Sequence, residues 1–210
     1  MAHVLVVVAQ KYNANELWPV LKELKAGSHS WDTAAYEDVI IDERSYKGYR
    51  ASRLLKDIDS VDGYDAVVFV SGNPKDTMAH WKDPHCKELV RQAVERELPL
   101  AGICASVPSL GPAIKGVRVS AFPLSTVREE IIMAGGLLQE ISLETDGNIA
   151  TAENEAMAGM WARNFRCLIE RKPVEFRLQP SPFKRDTRKL KPIPEVEFLR
   201  KENEGDISSK

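Results

Sequence analysis

The chain has 210 residues, 43% of them hydrophobic and 29% charged, enough to bury one substantial core. A formal net charge of −2 excludes a global electrostatic drive toward nucleic acid or an anionic membrane. Three cysteines (Cys86, Cys104 and Cys167) without a CxxC pair exclude a disulfide framework and a zinc site, and imply a reducing, cytoplasmic setting with no metal and no cofactor. The N-terminal "VLVVVA" is too short for a signal peptide, and no later stretch is long enough to span a bilayer.

Residues 3–9 ("HVLVVVA") are continuously apolar and β-branched, the pattern of a strand buried on both faces in a parallel sheet. The following segment places Leu17, Val20, Leu21 and Leu24 on one helical face and ends at Gly27. Residues 38–42 ("DVIID") read as the second strand and 64–73 ("YDAVVFVSGN") as the third, which ends in a glycine turn. A helix is predicted from Trp81 to Leu98, with Leu89, Val90, Ala93 and Val94 on its stripe, then a fourth strand at 98–104 ("LPLAGIC"). A short helical stretch, a strand at "GVRVSAF" and the helix "STVREEIIMAGG" follow. Residues 137–152 read as two strands about an Asp146-Gly147 turn. A last helix presents Met157, Met160, Trp161, Phe165 and Leu168. The alternation defines an α/β class, doubly wound around a mainly parallel sheet with helices on both faces.

The character changes after residue 170. Residues 171–210 carry 11 Lys/Arg against 7 Asp/Glu and five of the 12 prolines, whereas the other 170 residues carry 18 against 24. The division is therefore an α/β domain over 1–170 and an extended basic arm over 171–210, with "ENEGDISSK" expected to be disordered. Spaced apolar residues (Val174, Phe176, Leu178, Phe183, Val196, Phe198, Leu199) suit an arm lying across a neighbouring subunit, so a homo-oligomer, at least a dimer, is expected. The run "KRDTRKLK" lacks interleaved aromatics and reads as a solvated charge run, not a nucleic-acid surface.

The chemistry centres on Cys104. In an open α/β sheet, ligands bind beyond the carboxyl ends of the strands, and Cys104 stands at such an end where the next helix begins. Unpaired N–H groups and the positive helix end favour thiolate there, so its pKa is expected well below 8.5. The small residues after it permit a nucleophile elbow with strained backbone angles. Cys167 and Cys86 read as inert buried thiols. The turn after the first strand brings Glu16 to the same sheet edge, and the "SGN" turn at 71–73 offers backbone N–H donors.

"VLVVVAQKYNANELWPVLKELKAG", "YDAVVFVSGN", "PLAGICAS" and "IKGVRVSAFP…IIMAGG…DGNIATAEN" together resemble the ThiJ/PfpI family of the class I glutamine-amidotransferase-like superfamily, from the first strand to Glu170. The resemblance implies a flavodoxin-like fold, Cys104 as elbow cysteine and Glu16 as the carboxyl group beside it. It also implies an oxyanion or substrate pocket at Gly72, Asn73 and Ala105. Family members include glyoxalase III and deglycase-type enzymes, isocyanide hydratases, chaperones, proteins called intracellular peptidases and oxidation sensors, most of them dimers or larger. Three departures stand out. Ser71 takes the first place of the usual glycine pair, Ala105 stands where many members have histidine, and Phe122 stands where others do. No histidine follows Cys104. Of His3, His29, His80 and His85, only His80, expected in a loop after Gly72, is a candidate auxiliary group.

Three functions compete on this reading. The favoured one is an enzyme on a small electrophile, with Cys104 as nucleophile and Glu16 as acid/base. The others are a non-turnover sensor through Cys104 oxidation and a peptidase-like or binding module.

Overall fold

The computed structural model describes residues 1–178. Its strands are β1 (His3–Val8), β2 (Lys11–Tyr12), β3 (Ser30–Ala35), β4 (Val39–Asp42), β5 (Gly48–Arg50), β6 (Arg53–Leu54), β7 (Ala66–Val70), β8 (Leu100–Ile103), β9 (Arg118–Val119), β10 (Leu137–Leu138), β11 (Leu143–Asp146) and β12 (Ile149–Ala152). The helices are α1 (Ala14–Ala26), α2 (Pro74–Lys82), α3 (Pro84–Glu95), α4 (Ser125–Met133) and α5 (Ala158–Ile169), and a 3-10 stretch covers Cys104–Ile114.

Seven strands form the central sheet in the order β11-β12-β8-β7-β1-β3-β6. All neighbours are parallel except the β11–β12 hairpin, whose turn is made by Gly147 at φ 58°. Residues Val4–Val8 and Ala66–Val70 are wholly buried because helices cover both faces. Leu5, Val7, Val67 and Phe69 face a core shared with α3, α4 and the 3-10 stretch, and Val4, Val6, Val68 and Val70 face one shared with α1 and α5. Crossovers on both sides of a parallel sheet put the ends of β1, β7 and β8 at one edge, where ligands bind in this architecture. That is the doubly wound α/β fold expected from the sequence.

Some elements differ from the expectation. Residues 38–42 contribute β4, which pairs with β2 and β5 in a separate three-stranded sheet. The place beside β1 belongs to β3, "SWDTAA", whose first three residues are partly or fully exposed and therefore lack an apolar run. The single helix predicted from Trp81 is two: Asp83 ends α2 and caps α3 through His85 N, and Pro84 opens the new helix. Leu89, Val90 and Ala93 are buried as expected, but Val94 lies on the solvent side. In α5, Trp161 and Phe165 are fully buried, and the Trp161 indole donates to Ala150 O at 3.0 Å.

Beyond α5 the chain stays attached: Asn164 Nδ2 donates to Phe176 O at 2.8 Å, and Phe176 N donates to Asn164 Oδ1 at 3.0 Å. The expectations for Phe183, Val196, Phe198, Leu199, the basic run and the terminal "ENEGDISSK" lie outside the described residues. Among the described residues, no helix is long and apolar enough to cross a membrane.

Trp161 fills one core and ties α5 to β12. Trp161→Ala is expected to lower the unfolding free energy by about 3–5 kcal/mol, read from the midpoint of urea unfolding at constant slope.

Candidate active site

Cys104 occupies the junction of β8 and the 3-10 stretch with φ 58°, the strained elbow expected of it. A left-handed backbone costs a non-glycine residue about 1–2 kcal/mol and persists only where surrounding contacts hold it. Here Ser106 supplies them. Its hydroxyl accepts from Ile103 N at 3.0 Å and donates to Phe69 O at 2.8 Å, which ties the elbow to β7. The Trp81 indole donates to Ala105 O at 2.8 Å, which anchors the residue directly after the elbow cysteine.

Glu16 lies in the first turn of α1, whose N-cap is Asn13, and is fully buried. It reaches the site because the 9–13 loop is stitched to the turn after β7. Asn13 N donates to Ser71 O at 2.9 Å, and Asn73 N donates to Lys11 O at 2.7 Å. Glu16 Oε2 accepts from Ser71 Oγ at 2.7 Å and Ser71 N at 3.1 Å, while Oε1 accepts from Asn13 Nδ2 at 3.5 Å. Asn13 Nδ2 also donates to Glu155, and Arg44 closes that chain with contacts of 2.6 and 2.7 Å to the Glu155 carboxylate. The groups that act on the ionisation of the Cys104 thiol include the Glu16 carboxyl, the Ser71 hydroxyl and the Ala105 N–H.

Burial pushes the Glu16 carboxyl up to about 7 against the Ser71 donors, with the Glu155 and Glu43 charges adding to the rise. Burial also pushes the Cys104 thiol up to about 12, and the Glu16 charge adds to that. The depressed thiol pKa expected from the sequence is therefore not what the site provides. The 3-10 stretch after Cys104 contains Pro108 and Pro112 and kinks at Gly111, so it aligns few peptide dipoles. Adjacent groups of this kind titrate as a pair. The pair loses one proton near neutrality and keeps the second far into the alkaline range.

Two further expected residues have other duties. Gly72 is glycine because a Cβ there would collide with the Lys11 carbonyl where the loops cross. Its N–H donates to Thr77 Oγ1 at 3.0 Å, so it is not a free oxyanion donor, and Ala105 supplies the N–H at the sulfur. Asn73 caps α2 by accepting from Lys75 N at 3.1 Å. His80 lies within α2 and not in a loop. It is fully buried, with ring centroids 5.2 Å from Tyr36 and 6.2 Å from Phe69. Neither ring nitrogen has a hydrogen-bond partner among the described residues, and burial lowers its pKa to about 4, opposed by the Asp83 charge. Cys86 and Cys167 are buried thiols with burial-raised pKa values, as expected of inert cysteines. Ser71, Asn13, Ser106 and Trp81 were not singled out as site residues from the sequence. The visible signals were a hydroxyl in the glycine pair and an Asn at a helix start.

A parallel sheet whose edge carries a strained cysteine beside a buried carboxyl group is a flavodoxin-like α/β protein with a cysteine elbow. Within that class the chain belongs to the DJ-1/PfpI family, whose family model matches residues 2–165. It is 27% identical over 113 residues to the uncharacterized protein MJ0967 of Methanocaldococcus jannaschii, covering 52% of this chain and 54% of that one. The chain thus spans about half the length of this relative. Among solved structures, the ThiJ/PfpI domain protein of Brachyspira murdochii superposes with a TM-score of 0.71 at 15% identity, covering 81% of this chain and 98% of that one. Drosophila melanogaster DJ-1beta gives 0.68 at 16% identity, covering 81% and 94%. The putative protease I of Bacteroides thetaiotaomicron gives 0.66 at 20%, covering 82% and 100%. At these identities the likeness concerns the fold.

Glu16 and His80 impose opposite pH slopes on stability. The folded chain holds the Glu16 proton between about 4.5 and 7 while the unfolded chain has released it, so this group's contribution falls as pH rises through that window. The unfolded chain protonates His80 near 6.5 and the folded chain only near 4, so that contribution falls as pH drops. Each amounts to something on the order of 3 kcal/mol. Glu16→Gln is expected to raise stability at pH 8 more than at pH 5, and His80→Phe to raise it at pH 4.5 more than at pH 7.5. Urea titrations across pH measure both, and parallel profiles for wild type and variants would count against the assigned burial effects.

Proposed function

We propose that the protein is a cysteine-dependent enzyme acting on a small electrophile of the α-oxoaldehyde or isocyanide class, with Cys104 as nucleophile and Glu16 as acid/base. The observation that supports this reading most is the buried Glu16 carboxyl facing the elbow sulfur with a pKa near neutrality. A group with pKa near the working pH both gives and takes protons efficiently. Thiolate arises in this scheme by proton transfer within the pair, not from a strongly acidic thiol.

With an α-oxoaldehyde, the sulfur adds to the aldehyde carbon and the C=O π pair moves to oxygen. The Ala105 N–H stabilises that oxygen and Glu16 protonates it. Glu16 then takes the hydrogen from the former aldehyde carbon and returns it to the neighbouring carbonyl carbon, while the new hydroxyl's proton moves to that carbonyl's oxygen, which leaves a 2-hydroxy thioester. Water cleaves the thioester to a 2-hydroxy acid and restores the thiol. With an isocyanide, addition at the terminal carbon places the proton on that carbon, and water completes a formamide.

The deciding assay is turnover on a panel of both substrate classes. Cys104→Ser is expected to abolish activity, and Glu16→Gln to lower kcat about 10²–10⁴-fold. Peroxide oxidation of Cys104 should survive Glu16→Gln. Wild-type protein that turns over neither class yet forms a stable Cys104 sulfinate would support the sensor reading instead.

A further inference from the structure

Asn13 stands between two carboxyl groups. It is 5% exposed, and its Oδ1 is committed as the cap of α1, where it accepts from Asn15 N at 3.0 Å. That bond fixes the orientation of the amide, so Nδ2 is the atom turned toward the carboxyl groups. Nδ2 lies 2.5 Å from Glu155 Oε2 and 3.5 Å from Glu16 Oε1, and these two are its acceptors among the described residues. The amide is therefore a full donor to Glu155 and a marginal one to Glu16. Glu155 is anchored from its other side. Arg44 Nη2 donates to both of its carboxylate oxygens, at 2.6 and 2.7 Å, and Asn154 caps the turn that carries it.

We propose that Glu155, anchored by Arg44, is a positioning residue for this site, drawing the Asn13 amide away from Glu16 and so leaving Glu16 ready to hold a proton. One nitrogen held this close to Glu155 cannot also close on Glu16 while its partner oxygen stays on Asn15 N. An ionised carboxylate is favoured by each donor it receives and disfavoured by a like charge nearby. Glu155 withholds a donor from Oε1 and brings such a charge, so both effects favour the protonated carboxyl group. The other groups around Glu16 come from three further elements. Ser71 Oγ and N donate to Oε2 from the turn after β7, the Cys104 thiol lies at the end of β8, and the Glu43 charge acts from the loop after β4. Glu155 is thus the acceptor that competes for the donor at Oε1. The inference rests on the reading of Glu16 as the acid/base and adds the group that adjusts its proton affinity.

The test is an NMR titration of the Glu16 carboxyl carbon in the full chain with isotope-labelled glutamate, the resonance assigned by its loss in Glu16→Gln. In wild type it should titrate near pH 7. Glu155→Gln keeps the shape but offers the amide a weaker, uncharged acceptor, and should lower the midpoint by about one pH unit. Asn13→Ser keeps a capping oxygen but removes the amide, and should raise the midpoint by about half a unit. With Asn13→Ser already in place, Glu155→Gln should lower the midpoint by less than half as much, because only its charge then acts on Glu16. A Glu155→Gln midpoint that stays or rises overturns the proposal. So does an Asn13→Ser midpoint that does not rise, or a Glu155→Gln shift of equal size with and without Asn13. Should Asn13→Ser fail to fold, Asn13→Asp, which caps a helix as well, replaces it under the same requirements. The titration needs neither substrate nor a reactive thiol. Missing turnover with these shifts would retire the enzymatic reading alone, and intact turnover without them would retire the role of Glu155 alone.

Discussion

The site depends on one crossing of two backbones. The loop after β1 passes over the turn after β7 closely enough that two main-chain hydrogen bonds join them, from Asn13 N to Ser71 O and from Asn73 N to Lys11 O. Only a residue without a side chain fits beneath the Lys11 carbonyl, and Gly72 is that residue. Once the loops are joined, α1 starts beside β7, Glu16 in its first turn is sealed from water, and Ser71 becomes its partner. The third member arrives from β8, whose elbow Ser106 locks onto the Phe69 carbonyl of β7. Both linkages converge on β7, so the relative placement of Glu16 and Cys104 is set by one central strand.

Burial then determines the electrostatics. Water exclusion disfavours charge on the carboxyl group and on the thiol alike, and the few compensating donors act at short range. The outcome is a pair holding one mobile proton at neutral pH, with an acidic rim formed by Glu43 and Glu155 and a cation, Arg44, paired to the latter. Reactivity in such a site depends on where the proton resides more than on how many protons are bound.

Much of this was legible in the chain. Strands buried on both faces appear as unbroken apolar runs, which is why 3–9, 64–73 and 98–104 read correctly, and the end of the last run marks the elbow. The strand β3 was missed because its exposed first half carries Ser30, Trp31 and Asp32, and the apolar "VII" nearby belongs to a satellite sheet. The thiol pKa was misread because a helix dipole was assumed after Cys104, where the chain forms a kinked 3-10 stretch under a buried acid. The duty of Gly72 was misread because its donor is taken by Thr77, a hydroxyl five residues further along, and spacing alone does not show a side chain turning back on its own helix start. His80, one turn further on, looked like a loop residue because Asn73 and Pro74 had not been read as a cap and first helical position.

The positive φ of Cys104 carries an evolutionary consequence. Glycine adopts that conformation without penalty, so a chain drifting under selection for thermal stability alone would trade this cysteine for glycine and relax its sharpest bend. The strain at residue 104 is tolerable only while the sulfur earns its place, which makes loss of the thiol the easy direction of change once the demand for its chemistry lapses. A descendant with glycine at 104 and an otherwise intact sheet would keep the fold and lose the thiol.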